Sequence, residues 1–266
     1  IWARNWNNYQ HYISWEGGEI LQNMTGIYKA DDIRGEFGTD LTIKEAKKIG
    51  FAINKYVKTK RIILAYDNRL SSLKLKKALL SELDKEIINI GMVPTPIFYF
   101  VMNIFKNDYG VMITASHLPK EFNGFKINKG LWSLTYNTGI NKIESLTKRY
   151  HKTNHKPKIT RMDFVDKYYK FILPKIRIRD QLKVAVDGGN GVAGEFLVKA
   201  LKKLGCKVLS LYCKPDGNFS NHVPNPLINS TLKDLQSLIR KNKVDIGLAV
   251  DGDGDRIRVV SPNGQI

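Results

Sequence analysis

The sequence predicts an α/β protein of two consecutive α/β/α units, each a mainly parallel mixed sheet with helices on both faces. Three observations carry that expectation. From about Tyr28 onward, short apolar runs rich in Ile and Val alternate with segments of helical period. Most of these runs end in a polar or glycine-bearing loop, the arrangement found where parallel strands present ligands. One polar, proline-containing stretch, "HKTNHKPK" (His151 to Lys158), divides the alternation in two.

In order along the chain, residues 1–23 lack periodicity and are expected to form a tail, with Met24 a candidate internal start. The first unit is assigned to residues 24–150. In it, "TIKE" (Thr42 to Glu45) has the form of a capping box and opens a helix to about Val57. "RIILAYD" (Arg61 to Asp67) is a buried strand, followed by a helix through "LKLKKALLSEL" (Leu73 to Leu83). "EIINI" is a strand, "TPIFYFVMNIF" a helix and "YGVMIT" (Tyr109 to Thr114) a second short buried strand. A helix near Ile140 to Tyr150 closes the unit, and residues 151–158 form the linker. The second unit, residues 159–266, opens with a helix, "TRMDFVDKYYKFIL", capped by Thr160. The alternation then repeats as "LKVAVD", "GEFLVKALKKL", "KVLSLYC", "STLKDLQSLIRK" and "DIGLAVD". The closing "RIRVVSPNGQI" reads as the first strand of a hairpin whose second strand is missing, so the chain is expected to stop mid-element.

A length of 266 residues allows two units that each bury a core, and 42% hydrophobic with 10% aromatic residues describes an ordinary globular chain. The longest apolar stretch, "IFYFVMNIF", is interrupted by Asn103 and is far shorter than a membrane span. The opening residues have no basic segment followed by an apolar one, so no secretory signal is read there. Cys206 and Cys213 form neither a metal-type pair nor a disulfide framework, which fits a reducing cytoplasm. The net charge of +18 comes from 43 Lys and Arg against 25 Asp and Glu. The lysines are scattered over helix faces without interleaved aromatics, so a nucleic-acid partner is not expected. A basic surface still suits a phosphorylated substrate.

Six stretches bear on chemistry. "TASHLPKEFNGFKI" (Thr114 to Ile127) sets Ser116 beside His117 in a polar loop after a strand. No GxSxG elbow surrounds the serine, which argues against a hydrolase nucleophile. "DGDGDR" (Asp251 to Arg256) puts carboxylates at every second residue directly after a buried strand, a pattern able to fold around a hard cation. An EF-hand loop is excluded, because Arg256 and Pro262 stand where that loop needs Gly and Glu. "DGGNGVAG" (Asp187 to Gly194) contains G-x-G-x-x-G, but no acidic residue closes the next strand as a dinucleotide site requires. Its glycines are read instead as permitting a tight turn and close packing. Arg34 in "KADDIRGEFG" and Arg69 in "YDNRLSS" are candidates to grip a phosphate with their guanidinium forks. In "NFSNHVPNP" (Asn218 to Pro226), His222 has two readings, ligand orientation or a plain loop role.

Taken together, these motifs resemble the α-D-phosphohexomutase superfamily, especially its bacterial phosphomannomutase/phosphoglucomutase branch. The resemblance runs from about Tyr28 to Ile266. "DDIRG", "GMVPTP", "TASHLPKEFNGFKI", "DGGNGVAG", "DGNFSNHVPNP" and "AVDGDGDR" follow one another in the family's order. It implies that Ser116 carries a phosphoryl group and exchanges it with a hexose 1- or 6-phosphate through a bound hexose 1,6-bisphosphate. It implies Mg²⁺ held by Asp251, Asp253 and Asp255 together with the phosphoserine of Ser116. Arg256 would add positive charge, and His117 or Lys126 would handle the hydroxyl proton. A monomer acting on a phosphorylated hexose, with no membrane, is expected.

The chain departs from the family pattern at several positions. Leu118 stands where the family usually has Asn, Phe122 where it has Tyr, and Asp31 where it has Tyr. Tyr66 and Asn68 replace an Arg and usually a Gly. The family has four domains, of which this chain spans the first two. The chain alone is therefore expected to hold metal and phosphate but to turn over hexose phosphates poorly. Two alternatives are a phosphoglucosamine mutase, the amino-sugar branch, and a non-catalytic remnant or binding module.

Overall fold

The computed structural model describes residues 26–153, 155–178 and 180–266. The expected tail and Met24 lie outside them.

The first sheet is built from β1 (Ile33–Glu36), β2 (Arg61–Tyr66), β3 (Glu86–Met92), β4 (Tyr109–Ile113), β5 (Phe122–Lys129), β6 (Trp132–Ser133) and β7 (Ile159–Arg161). Its order is β1-β5-β4-β2-β3-β7, with β6 paired to β5. β4, β2, β3 and β7 run parallel, while β5 is antiparallel to both β1 and β4. Helices α1 (Ile43–Tyr56), α2 (Ser72–Leu80) and α4 (Asn141–Thr147) cover one face, and α3 (Thr95–Ile104) and α5 (Val165–Ile172) the other. Alternation along β2 explains the two layers. Ile62 and Leu64 enter the core with Ile49, Ile53 and Phe125, whereas Ile63 and Ala65 meet Phe98, Val101 and Met102.

The second sheet has order β11-β10-β8-β9 and comprises β8 (Lys183–Asp187), β9 (Lys207–Leu211), β10 (Ile246–Val250) and β11 (Ile257–Val260). β9, β8 and β10 are parallel. Helix α7 (Lys233–Asn242) packs Leu235 and Ile239 on Ala185, Ala249 and Val260. On the other face, α6 (Gly194–Lys203) sets Leu197, Val198 and Leu201 against Val184 and Val186. The alternating mixed α/β architecture matches the expected fold class.

The details differ in four places. Thr160 lies in β7 and caps no helix; α5 begins only at Val165, after Asp163 has turned its carboxylate onto the Val165 N–H at 2.8 Å. β7 adds to the first sheet beside β3, and Phe164 of the following segment sits in the first core. β11 pairs antiparallel with β10, so the expected hairpin lies N-terminal to Pro262 and turns at the aspartate loop. At the start of α1, Thr42 Oγ1 accepts from the Glu45 N–H at 3.1 Å, but the Glu45 carboxylate pairs with Lys48 instead of returning to the cap.

Candidate functional site

The polar loops that follow β4, β8 and β10, with the start of α3, converge at the C-terminal ends of the parallel strands, the usual ligand edge of an α/β sheet. After β4 the chain turns sharply. Ser116 has φ 52°, a left-handed conformation uncommon for a residue with a Cβ. Its N–H donates to Thr114 Oγ1 at 2.9 Å, and its Oγ donates to Asp251 Oδ2 at 2.5 Å. The residue is 1% exposed. Ser116 and Asp251, 135 positions apart in sequence, thus share one site.

The acidic loop after β10 is held from both units. Asp253 Oδ2 accepts from Thr95 Oγ1 at 2.8 Å and from Lys126 Nζ at 3.0 Å. The Thr95 N–H, free at the start of α3, donates to the Asp253 carbonyl at 2.8 Å. Lys126 Nζ also reaches Asp255 Oδ2 at 2.6 Å. Carboxylate oxygens of Asp251, Asp253 and Asp255 lie within 4.8 Å of one another. Asp251 and Asp253 are fully buried, and Asp253 Oδ1 has no hydrogen-bond partner among the described residues. A buried carboxylate oxygen without a donor is costly. A hard divalent cation would satisfy it, and the all-oxygen donor set fits Mg²⁺. The three aspartates, with Ser116 Oγ bonded to one of them, are the residues that would hold it.

Electrostatics follow from that crowding. Burial, with Asp253 and Asp255 as like-charged neighbours, pushes the Asp251 carboxyl up to about 8. Burial also opposes charge on Asp253, but Lys126 and the Thr95 hydroxyl outweigh it and hold that carboxyl below the usual range. Lys126 loses solvation yet is held above the usual lysine range by Asp253 and Asp255, so it stays an ammonium.

His117 completes the cluster differently from a hydrolytic triad. Its Nδ1 lies 3.4 Å from Ser116 Oγ and 2.6 Å from Arg256 Nη1. A guanidinium can only donate, so Nδ1 is the acceptor and the proton sits on Nε2. Burial, then Arg256 and Arg34, lower the imidazole to about 4, and it is neutral near pH 7. Its partner is a cation, whereas a triad histidine needs a carboxylate there. Arg34 on β1 is paired with Asp32, while its buried Nε has no partner among the described residues.

Arg69 is where the expectation fails. It is 2% exposed, and its Nε donates to Asp67 Oδ2 at 3.1 Å. Nη1 donates to the carbonyls of Pro119 and Phe122 at 2.6 and 3.0 Å. Nη2 donates to those of Ser116 and Leu118 at 2.9 and 2.7 Å. A guanidinium has five N–H groups, and all five are spent inside the protein. Arg69 has none left for a phosphate.

Backbone contacts explain the glycines. A Cβ on Gly252 would lie 2.4 Å from the Ser116 carbonyl oxygen, and one on Gly191 would lie 2.6 Å from that of Gly252. The Val192 N–H donates to the Gly252 carbonyl at 2.9 Å. "DGGNGVAG" therefore braces the acidic loop from behind by close packing. His222 braces it further: Nε2 lies 3.2 Å from Asp187 Oδ2 and Nδ1 2.8 Å from the Val223 carbonyl. Pro224, two residues on, would touch a Cβ on either Gly189 or Gly252. Thr95 was not singled out by the sequence as a site residue; the threonine before proline at the start of a helix in "GMVPTP" was its one signal.

Sequence models of phosphoglucomutase/phosphomannomutase α/β/α domain I and domain II match residues 25–154 and 162–264 respectively. The chain belongs to the phosphoglucomutase/phosphomannomutase family. Against the phosphomannomutase/phosphoglucomutase of Pseudomonas aeruginosa it is 38% identical over 249 residues, covering 90% of this chain and 53% of the relative. Against the phosphoglucomutase of Neisseria meningitidis serogroup B it is 38% identical over 248 residues, covering 90% and 54%. A crystal structure of a phosphoglucomutase/phosphomannomutase family protein from Burkholderia thailandensis superposes with TM-score 0.84 at 33% identity, covering 90% of this chain and 55% of that one. The chain thus spans about half the length of the relatives it matches. Among the described residues, no helix is long and apolar enough to cross a membrane.

Proposed function

We propose that this chain forms the phosphoryl-carrying half of a mutase that interconverts hexose 1- and 6-phosphates of mannose, glucose or both. The observation that carries the reading is Ser116 Oγ set 2.5 Å from Asp251 in a carboxylate cluster, with His117, Lys126 and Arg256 around it. Phosphoryl transfer demands positioning and charge neutralisation more than covalent chemistry. When bound, Mg²⁺ would supply the Lewis-acid charge that a phosphoserine oxygen needs. Arg256 adds a fixed donor fork on the side of His117. Lys126, held charged by Asp253 and Asp255, neutralises rather than abstracts. His117 is the neutral group of the pair; it becomes a base toward a sugar hydroxyl once a phosphate draws Arg256 off Nδ1.

In this reading, Ser116 passes its phosphoryl group to the free hydroxyl of a hexose monophosphate. The resulting 1,6-bisphosphate reorients and returns its other phosphate. A monomer in a reducing cytoplasm is the setting proposed. The test starts from protein phosphorylated at Ser116 and mixed with glucose 1-phosphate or mannose 1-phosphate. One equivalent of the 1,6-bisphosphate is expected by phosphorus NMR, with none from Ser116→Ala. Failure to form any bisphosphate contradicts the reading. Many turnovers by this chain alone contradict its assignment as a half-site.

A further inference from the structure

We propose that Arg69, capped by Phe219, is a positioning residue that fixes the Ser116 loop for transfer. The proposal rests on the reading of Ser116 as phosphoryl carrier, and the geometry behind it is independent of that reading. Ser116 holds its left-handed backbone within a loop that makes few hydrogen bonds to itself: Leu118 N–H to the Ala115 carbonyl and Phe122 N–H to that of Pro119, both at 3.1 Å. The loop is instead wrapped around the Arg69 guanidinium. The carbonyls of residues 116, 118, 119 and 122 all point at Nη1 and Nη2. Four convergent carbonyl dipoles need a cation at their focus, and a planar fork with donors at fixed angles selects one loop shape.

Asp67 orients that fork. Its Oδ2 takes the Arg69 Nε–H, and its Oδ1 accepts from the Arg69 N–H at 3.0 Å and from Ser72 Oγ at 2.6 Å. Phe219 closes a face of the guanidinium, with its ring centroid 4.9 Å from Cζ. Phe219 belongs to "NFSNHVPNP", the second unit's loop, and Asn68 beside Arg69 donates to the Asn190 carbonyl of that unit at 2.8 Å. The clamp on the nucleophile is therefore completed only with the second unit seated against the first. Arg69 touches no reacting atom; it acts through the Ser116 backbone.

Lysine keeps the charge but offers a point donor in place of a fork. Arg69→Lys is therefore the test, read two ways on this same chain. In hydrogen exchange, faster exchange confined to residues 114–124 is expected, with β2 and β3 as protected as in the wild type. In single-turnover transfer from glucose 1,6-bisphosphate to Ser116, the rate is expected to fall about 10²-fold, the effect of a misplacement near 1 Å. The bisphosphate concentration giving half-maximal rate should stay within about threefold, since Arg69 has no donor for the ligand. Unchanged exchange in a folded Arg69→Lys protein overturns the proposal, as does an unchanged rate. If Arg69→Lys does not fold, Phe219→Ala decides: faster exchange over the same residues supports the clamp, and unchanged exchange overturns it. A wild-type protein that takes no phosphoryl group counts against the mutase reading, while the exchange arm still decides the clamp.

Discussion

Gly252→Ala is the sharpest perturbation of the site, because it adds one carbon where the two reacting loops meet. The added Cβ would lie 2.4 Å from the Ser116 carbonyl oxygen. Carbon and oxygen are comfortable at about 3.3 Å, so one loop must retreat by about 1 Å. Gly252 is not in the left-handed region, so the substitution acts through this clash alone. Either retreat stretches the Ser116 to Asp251 hydrogen bond, now 2.5 Å, toward about 3.5 Å, beyond useful range. Overpacking of this kind costs about 1–3 kcal/mol. The expected result is a stability loss in that range by urea unfolding, together with about 10²-fold slower phosphorylation of Ser116. A Gly252→Ala protein of wild-type stability that is phosphorylated at the wild-type rate would refute the loop-packing argument.

Three further outcomes follow from the same geometry. Asp253→Asn removes the buried carboxylate whose Oδ1 has no partner among the described residues, so the Mg²⁺-dependent rise in melting temperature expected of the wild type should vanish; an undiminished rise would move the metal elsewhere. Below about pH 8 the metal-free Asp251 carries a proton that Mg²⁺ must displace, so apparent affinity measured by calorimetry should climb with pH up to that point and then level off; a flat profile from pH 6 to 9 would contradict this. The His222 imidazole is raised despite the opposing effect of burial, because Asp187 and the Val223 carbonyl accept from its two nitrogens. Its stabilisation is full below about 6.5 and is lost as pH rises through the folded value, so His222→Gln should cost more stability at pH 6 than at pH 9; equal costs would exclude the imidazolium.

Much of the site was legible because its residues sit in short local patterns. Alternating aspartates after an apolar run and a serine in a polar loop after another are visible one strand at a time. Ser116, His117, Lys126, Asp251, Asp253, Asp255 and Arg256 were expected in one site, and they meet there. What could not be read is long-range. Arg69 looks like any loop arginine until residues 116 to 122 fold around it, and Thr95 meets Asp253 across 158 positions. β5 was passed over because "FNGFKINK" carries Asn123, Lys126 and Asn128 among its apolar residues. Asn123 and Asn128 are buried in the sheet nonetheless, and Asn123 is satisfied there by Ser71 and Ser72. β7 escaped because three exposed residues earn a strand only by lying beside β3.

The phosphoryl-carrier role of Ser116 is tested most directly by the site and stoichiometry of phosphorylation after incubation with glucose 1,6-bisphosphate and Mg²⁺, read by intact mass and peptide mapping. One phosphoryl group per chain, on Ser116, is expected, and none on the Asp253→Asn protein. Phosphate on another residue, or on Ser116 regardless of Asp253 and metal, would contradict it.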